Sequence, residues 1–330
     1  MENRKVFNKE VIIMFMKIAI LNECFFTDEH IKRLKKLGEV TIYDDTDTEE
    51  KTVQRLKNID VAIGDQFIAK FNKNVLGKSS IKHLALNTTS FGYVDIESAS
   101  KQKIKVSNTP GFSKQSVAEL VIGLMFSVNR KIALGDRLMR NKPLELDPGN
   151  KNDQRFIGFE IKGKTLGVLG LGNIGSIVAE LGIALGMNVV GFNRTPKKIK
   201  GVKLMKLNEL LKISDVISIN LPLNSETKNM ITAKEFNLMQ KNAILINTSQ
   251  PEIVNSEALS GALKSGKISG AGLDVGMMIN FESPLFKLEN VVFTPHLGSF
   301  TEEAFFKNLP DMIVANVEAF VKGKPINLVN

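Results

Sequence analysis

The 330-residue chain is 43% hydrophobic and 24% charged, with 44 basic residues against 35 acidic ones and a net charge of +9. A single cysteine, Cys24, excludes an internal disulfide, and three histidines leave no cluster with zinc-ligand spacing, so no metal site is expected. The basic residues are scattered, with no tryptophan and only two tyrosines to stack on bases, so no nucleic-acid partner is expected.

The length suits two domains of ordinary size. The first residues carry a short apolar patch that Lys17 cuts off, without a small-residue cleavage site. Residues 1–15 therefore read as an extension ahead of the first strand, and a cytoplasmic protein is expected. Apolar runs at 18–21, 40–43, 61–63, 83–86 and 105–107 read as strands with amphipathic helices between them. That alternation is the pattern of a parallel, doubly wound sheet. Within it, His30 on a helix and His83 at a strand start read as structural or solvent-facing.

One long helix is expected over 116–140. Its apolar stretch, 120–128, is far short of the roughly 18 residues of a membrane span, so no membrane partner is expected. A polar segment, 141–154, then leads to a second alternating series, with strands at 167–169, 189–191, 216–219, 243–246, 270–273 and 291–294. A helix over 302–322 closes the chain. The sequence thus predicts two α/β domains with a cleft between them.

The second series opens with Gly170-Leu171-Gly172-Asn173-Ile174-Gly175 directly after a strand and before a helix. Gly170 permits the tight turn, Gly172 lets a pyrophosphate approach the backbone, and Gly175 lets helix and strand pack closely. The helix start adds unpaired N–H groups and the positive end of its dipole. This is a dinucleotide site. A carboxylate at the end of its second strand would accept a ribose 2′-hydroxyl, but here that strand runs into Asn193-Arg194-Thr195-Pro196-Lys197-Lys198. A guanidinium and a hydroxyl suit a 2′-phosphate instead, which favours NADP, with NAD as the alternative.

Several blocks, in order, resemble the D-isomer-specific 2-hydroxyacid dehydrogenase family. They are Ser116-Val117-Ala118-Glu119, the segment 163–167 before the glycine turn, Leu221-Pro222-Leu223 with Thr227, and Ile246-Asn247-Thr248-Ser249. Gly270-Ala271-Gly272-Leu273-Asp274-Val275 and Thr294-Pro295-His296 follow. The resemblance implies a Rossmann cofactor domain over 116–298 and a discontinuous, flavodoxin-like substrate domain from 1–115 and 299–330. It further implies a homodimer, a small-molecule substrate, and cofactor contacts from Leu221, Pro222, Thr227, Thr248, Asp274, His296 and Gly298.

It also implies hydride transfer between a nicotinamide and carbon 2 of a hydroxy or keto acid, with His296 moving the hydroxyl proton. Two positions depart from the family. Where its arginine would bind the substrate carboxylate, the chain has Gln250, uncharged and followed by Pro251. Where its acidic partner for the histidine would lie, counting gives Ile279 and Asn280; Glu282 stands nearby and could serve, or be a surface carboxylate. The substrate loop, Ser90-Phe91-Gly92, can offer backbone N–H groups to a carboxylate. Two readings follow: an oxidoreductase with an atypical active site, or a degenerate relative that binds the dinucleotide as a sensor.

Overall fold

The computed structural model describes residues 15–22, 25–64, 71–141, 154–275 and 282–330. The expectations for residues 1–14, for Cys24, for most of the 141–154 segment and for Ile279 and Asn280 lie outside that set. The chain divides into two compact units, one from the residues up to Ser113 together with Thr301–Asn330, the other Lys114–Phe300.

The first unit holds five parallel strands: β1 (Met16–Ile20), β2 (Gly38–Ile42), β3 (Val61–Gly64), β4 (His83–Leu86) and β5 (Lys105–Ser107). Their order is β2-β1-β3-β4-β5, the flavodoxin-like arrangement, which reverses direction between β1 and β3. Both faces are buried. Along β1, Ile18 and Ile20 join one apolar cluster while Ala19 and Leu21 join the other, as the two-residue period of a strand requires. The helix Leu309–Val321 covers one face with Leu309, Ile313, Val314 and Val317. Each such buried aliphatic side chain contributes about 1.5–3 kcal/mol. The chain end also closes β5: Val329 N–H donates to the Val106 carbonyl, and Asn330 accepts from the Val106 N–H.

The second unit holds seven parallel strands: β6 (Thr165–Leu169), β7 (Asn188–Phe192), β8 (Val202–Leu204), β9 (Val216–Ile219), β10 (Ile244–Asn247), β11 (Gly270–Asp274) and β12 (Val291–Thr294). Their order, β12-β11-β10-β9-β6-β7-β8, is the dinucleotide-binding arrangement with one added strand, and it reverses between β6 and β9. Along β10, Leu245 faces one cluster while Ile244 and Ile246 face the other.

The expected long helix is two. Lys114–Asn129 and Ile132–Asn141 are separated at Lys131, which takes a left-handed φ of 56°. Asn129 holds the break, because its side chain both donates to the Phe159 carbonyl and accepts from the Phe159 N–H. The short strand β8 was not expected, since Val202–Leu204 is mostly exposed and carries no apolar run. The C-terminal helix starts with a π-helical stretch, Glu303–Asn308, just ahead of Pro310. Proline lacks the N–H that a regular turn would use, and the wider turn accommodates its ring.

Candidate functional site

The glycine turn follows β6 at the point where strand order reverses. Gly170 has φ +90°, and its N–H donates to the Phe192 carbonyl at 2.8 Å. A side chain there would run into the Asn220 carbonyl and the Leu221 side chain. One at Gly175 would strike the Gly170 carbonyl and lie 3.2 Å from Val168, so the helix Asn173–Ala184 sits against its strand only because both residues are glycine. At Gly172, which caps that helix, a Cβ would meet nothing within 4 Å. The turn is closed where it packs and open where a pyrophosphate would approach the helix N–H groups. Asn173 is exposed in the first turn, and Ile174 is half-buried against the core. These residues fit a dinucleotide.

After β7, Asn193 ties the next loop to the turn. Its side-chain oxygen accepts from Leu171 N–H at 3.0 Å and its side-chain nitrogen donates to the Thr195 carbonyl at 2.6 Å. Arg194 lies exposed, its guanidinium 2.9 Å from the Glu226 carboxylate, and Thr195 is exposed beside it. Lys197 reaches back: its ammonium donates to the Leu171 carbonyl at 3.0 Å and to Ser176 Oγ at 2.9 Å. The sequence shows a run of lysines here, but only the loop register singles out Lys197.

After β9, Leu221 packs half-buried on the core, and the Pro222 carbonyl accepts from Thr227 Oγ1 at 2.6 Å. Asn224 folds the loop with its side-chain oxygen, accepting from the N–H groups of Glu226 and Thr227 at 2.9 and 3.0 Å. That turn holds Glu226 opposite Arg194.

After β10, the buried Asn247 accepts from Ser249 N–H, and Ser249 Oγ donates to the Ile219 carbonyl, which fixes the half-buried Thr248 between them. Gln250 is extended, with φ −66° and ψ 137°, as the following proline requires. Its carbonyl caps the short 3-10 helix Pro251–Ile253, while its side-chain amide has no partner among the described residues.

Asp274, at the end of β11, is 3% exposed and its carboxylate is fully engaged. It accepts from Thr294 Oγ1 at 2.6 Å, from Leu297 N–H at 2.7 Å and from Gly298 N–H at 2.9 Å. These bonds grip the chain on both sides of His296. Gly298 fits because a Cβ there would come within 3.0 Å of the Asp274 carboxylate and 3.1 Å of Val117. His296 itself has φ +57°, a left-handed conformation that costs a non-glycine residue of order 1 kcal/mol, and its ring is exposed. Such strain persists where the surroundings enforce it, and Asp274 does so. No described carboxylate pairs with the His296 ring. Glu282 is exposed, just ahead of the 3-10 helix Pro284–Lys287.

In the first unit, Ser90, Phe91 and Gly92 are exposed in the turn that leaves β4, with Ser90 N–H on Thr88 Oγ1 and Val94 N–H on the Phe91 carbonyl. The other two histidines are structural. His30 accepts from Thr27 N–H, capping its own helix, and lies 3.4 Å from Asp311. His83 is fully buried, stacked on Phe320 at 4.5 Å and 2.8 Å from Ser107 Oγ; burial pushes its pKa down to about 3. Neither faces solvent.

A dinucleotide turn at the switch point of a seven-stranded parallel sheet, in a chain that also holds a flavodoxin-like unit, defines a two-domain nicotinamide-dependent oxidoreductase. The family model for the D-isomer specific 2-hydroxyacid dehydrogenase, NAD binding domain, matches residues 122–298. Glyoxylate reductase of Thermococcus litoralis is 37% identical over 91% of this chain and 93% of its own. Among solved structures, an acyclic imino acid reductase in complex with NADPH and D-Arg is 34% identical, with a TM-score of 0.83 over 96% of this chain and all of its own. An NAD-complexed D-isomer specific 2-hydroxyacid dehydrogenase from Lactobacillus delbrueckii ssp. bulgaricus is 26% identical, with a TM-score of 0.79 over 95% of this chain and all of its own. The chain belongs to the D-isomer specific 2-hydroxyacid dehydrogenase family. It is an NAD(P)-dependent oxidoreductase acting on a small molecule at a CH–OH group, and nothing in these relatives supports the sensor alternative. No helix among the described residues is long and apolar enough to cross a membrane.

Proposed function

We propose that this enzyme reduces 2-oxo acids to 2-hydroxy acids with NADPH, as a cytoplasmic homodimer, with 116–298 as cofactor domain and the rest as substrate domain. The observation that carries the catalytic reading is His296, held in a left-handed conformation by the buried Asp274 at the carboxyl edge of the sheet. When bound, the nicotinamide ring supplies or takes the hydride at carbon 2. Gly170, Gly172, Asn173, Ile174 and Gly175 cradle the pyrophosphate, while Asn193, Leu221, Pro222 and Thr227 form the adenosine side. Thr248, Asp274 and Gly298 shape the floor near the ring.

His296 delivers a proton to the substrate oxygen in reduction and removes it in oxidation, with Glu282 as its acidic partner. Gln250 donates one hydrogen bond to the substrate in place of a charged fork. Relative to arginine, this gives up about 1.5–3 kcal/mol of charge-assisted binding. Ser90, Phe91 and Gly92 supply backbone N–H groups to the carboxylate. Arg194, Thr195 and Lys197 support NADPH, since two cations and a hydroxyl stand at the loop that would meet a 2′-phosphate. The exposed Ile132, Met139 and Ile157 of the cofactor unit support a dimer contact there.

The neutral Gln250 also favours a second reading, reduction of a 2-imino acid. A protonated imine carries its own activating charge, which an arginine would repel. Steady-state assays at 340 nm (the nicotinamide band) test both readings with NADPH and NADH, on 2-oxo acids alone and with methylamine added. Turnover of the free oxo acids, fastest with NADPH and raised by Gln250→Arg, is expected. Turnover only with amine present selects the imine. No turnover with any acid, although NADPH binds, would overturn the enzyme reading.

A further inference from the structure

An aromatic group outside the residues assigned above stands at the carboxyl edge of the first unit's sheet. Phe25 lies in the segment leaving β1, Phe112 in the segment leaving β5, and Phe305 and Phe306 lie on the π-helical stretch Glu303–Asn308. The Phe25 ring centroid is 4.8 Å from that of Phe305 and 5.2 Å from that of Phe306, and Phe112 is 6.4 Å from Phe305. Asn308 donates to the Phe112 carbonyl at 3.1 Å and fastens the stretch to the β5 segment. Despite these contacts, Phe25 remains 47% exposed and Phe306 52%. Other large apolar side chains of this unit are exposed too, Ile42 and Phe91 among them, but these two rings are held together and left open at one edge.

Their place says what covers them. Open α/β sheets bind ligands outside the carboxyl ends of their strands, at the reversal of strand order, and β1 flanks that reversal here. The exposed turn Ser90–Gly92, which leaves β4, opens on the same edge. Two half-exposed rings offer on the order of 200 Å², against about 800 Å² per partner in a stable protein interface, so the patch is sized for a small molecule.

We infer that Phe25, Phe305 and Phe306 receive the side chain on carbon 2 of the substrate. The substrate is then a 2-oxo acid with an aryl or branched aliphatic side chain, rather than glyoxylate, which has no side chain to place. This rests on the 2-oxo acid reading above, and it holds equally for the corresponding imine. Side chain and carboxylate would be recognised by neighbouring loops of one unit, the first by rings and the second by backbone N–H groups.

The test is kcat/KM over a series with one reacting group: glyoxylate, pyruvate, 4-methyl-2-oxopentanoate and phenylpyruvate, each without and with methylamine. The value should climb along it, with phenylpyruvate at least about tenfold above glyoxylate, the discrimination an apolar pocket gives. Phe25→Ala and Phe306→Ala should each lower the phenylpyruvate-to-glyoxylate ratio by about tenfold, and Phe306→Leu should restore part of it. Saturation-transfer NMR of the wild type with D-3-phenyllactate should show transfer to the ring protons. A series led by glyoxylate, or ratios unmoved by both alanine variants, overturns the inference and leaves the oxidoreductase reading standing. Failure on every acid in either form removes both. If the alanine variants instead change the sedimentation coefficient with the ratio unmoved, a second copy of the chain covers the patch, and the inference is again overturned.

Discussion

The glycine turn and the His296 corner stand on the same edge of the same sheet, yet they are built in opposite ways. At the turn, the packed positions are set by space and fixed hydrogen bonds: Gly170 against Asn220, Gly175 against Gly170, Leu171 N–H on the Asn193 side-chain oxygen. Those contacts are already made within the chain. At the corner, the backbone is gripped by Asp274, but two groups assigned to the chemistry, His296 and Gln250, are idle. The His296 ring is exposed, and the Gln250 amide has no partner among the described residues. The fold of one unit completes a binding cradle with its own packing and hydrogen bonds, whereas acid–base work needs side chains that only a substrate will engage.

That contrast can be broken most directly at His296. Replacing it with Gln should lower kcat by about 10²–10⁴-fold, the usual worth of a placed acid–base group, while NADPH binding changes little. Stopped-flow turnover beside a fluorescence titration of NADPH reads both quantities. Equal loss of binding and turnover would mean that the corner, like the turn, serves only to hold the cofactor.

The converse change is Gly172→Asp. A side chain there meets open space, so the melting temperature should hold. A carboxylate facing the pyrophosphate costs several kcal/mol, so dinucleotide affinity should fall by at least about a hundredfold. A variant that still binds NADPH well would show that the open face of the turn is not where phosphate sits.

The two regions were also unequally legible in the sequence. The cradle was readable because its rules are local: a strand, glycines at fixed spacing and a helix within one short segment. The alternating apolar runs gave both parallel sheets for the same reason, since strands buried on both faces carry no competing polar pattern. The break at Lys131 was hidden, because it depends on Asn129 bonding to Phe159, far along the chain. The Asp274 staple was hidden likewise: the aspartate stood out in its motif, but its bonds to Thr294, Leu297 and Gly298 belong to β12 and the loop beyond. Lys197 and the Arg194–Glu226 pair were invisible because loop register, not residue type, brings them to the turn.

That ion pair gives a smaller effect on the cradle's side. Glu226 neutralises the guanidinium assigned to the 2′-phosphate, and both side chains are largely exposed, so their mutual attraction contributes at most about 1 kcal/mol. Glu226→Gln should therefore raise the NADPH-to-NADH ratio of kcat/KM by a few-fold, up to about fivefold. A fall in that ratio would assign Glu226 to the ribose hydroxyls and make NAD the natural cofactor.

The last effect is on stability rather than turnover, and it concerns His83. His83 is buried without charge, with a pKa of about 3 against an ordinary 6.5. Between those values the unfolded chain binds a proton that the folded chain refuses. Stability conferred by the neutral ring is complete above the ordinary value and is lost as pH falls below it, with a limiting slope of about 1.4 kcal/mol per pH unit. Carboxylates such as Asp60, whose folded pKa is lowered, add their own loss only nearer their ordinary value of 3.8. Urea midpoints should thus decline from about pH 6.5 to about pH 5, and His83→Leu should flatten that decline while lowering stability at neutral pH. Turnover followed over the same range in the His83→Leu background is then free of this part of the fold's own titration. If the slope is unchanged in the variant, another group governs acid stability.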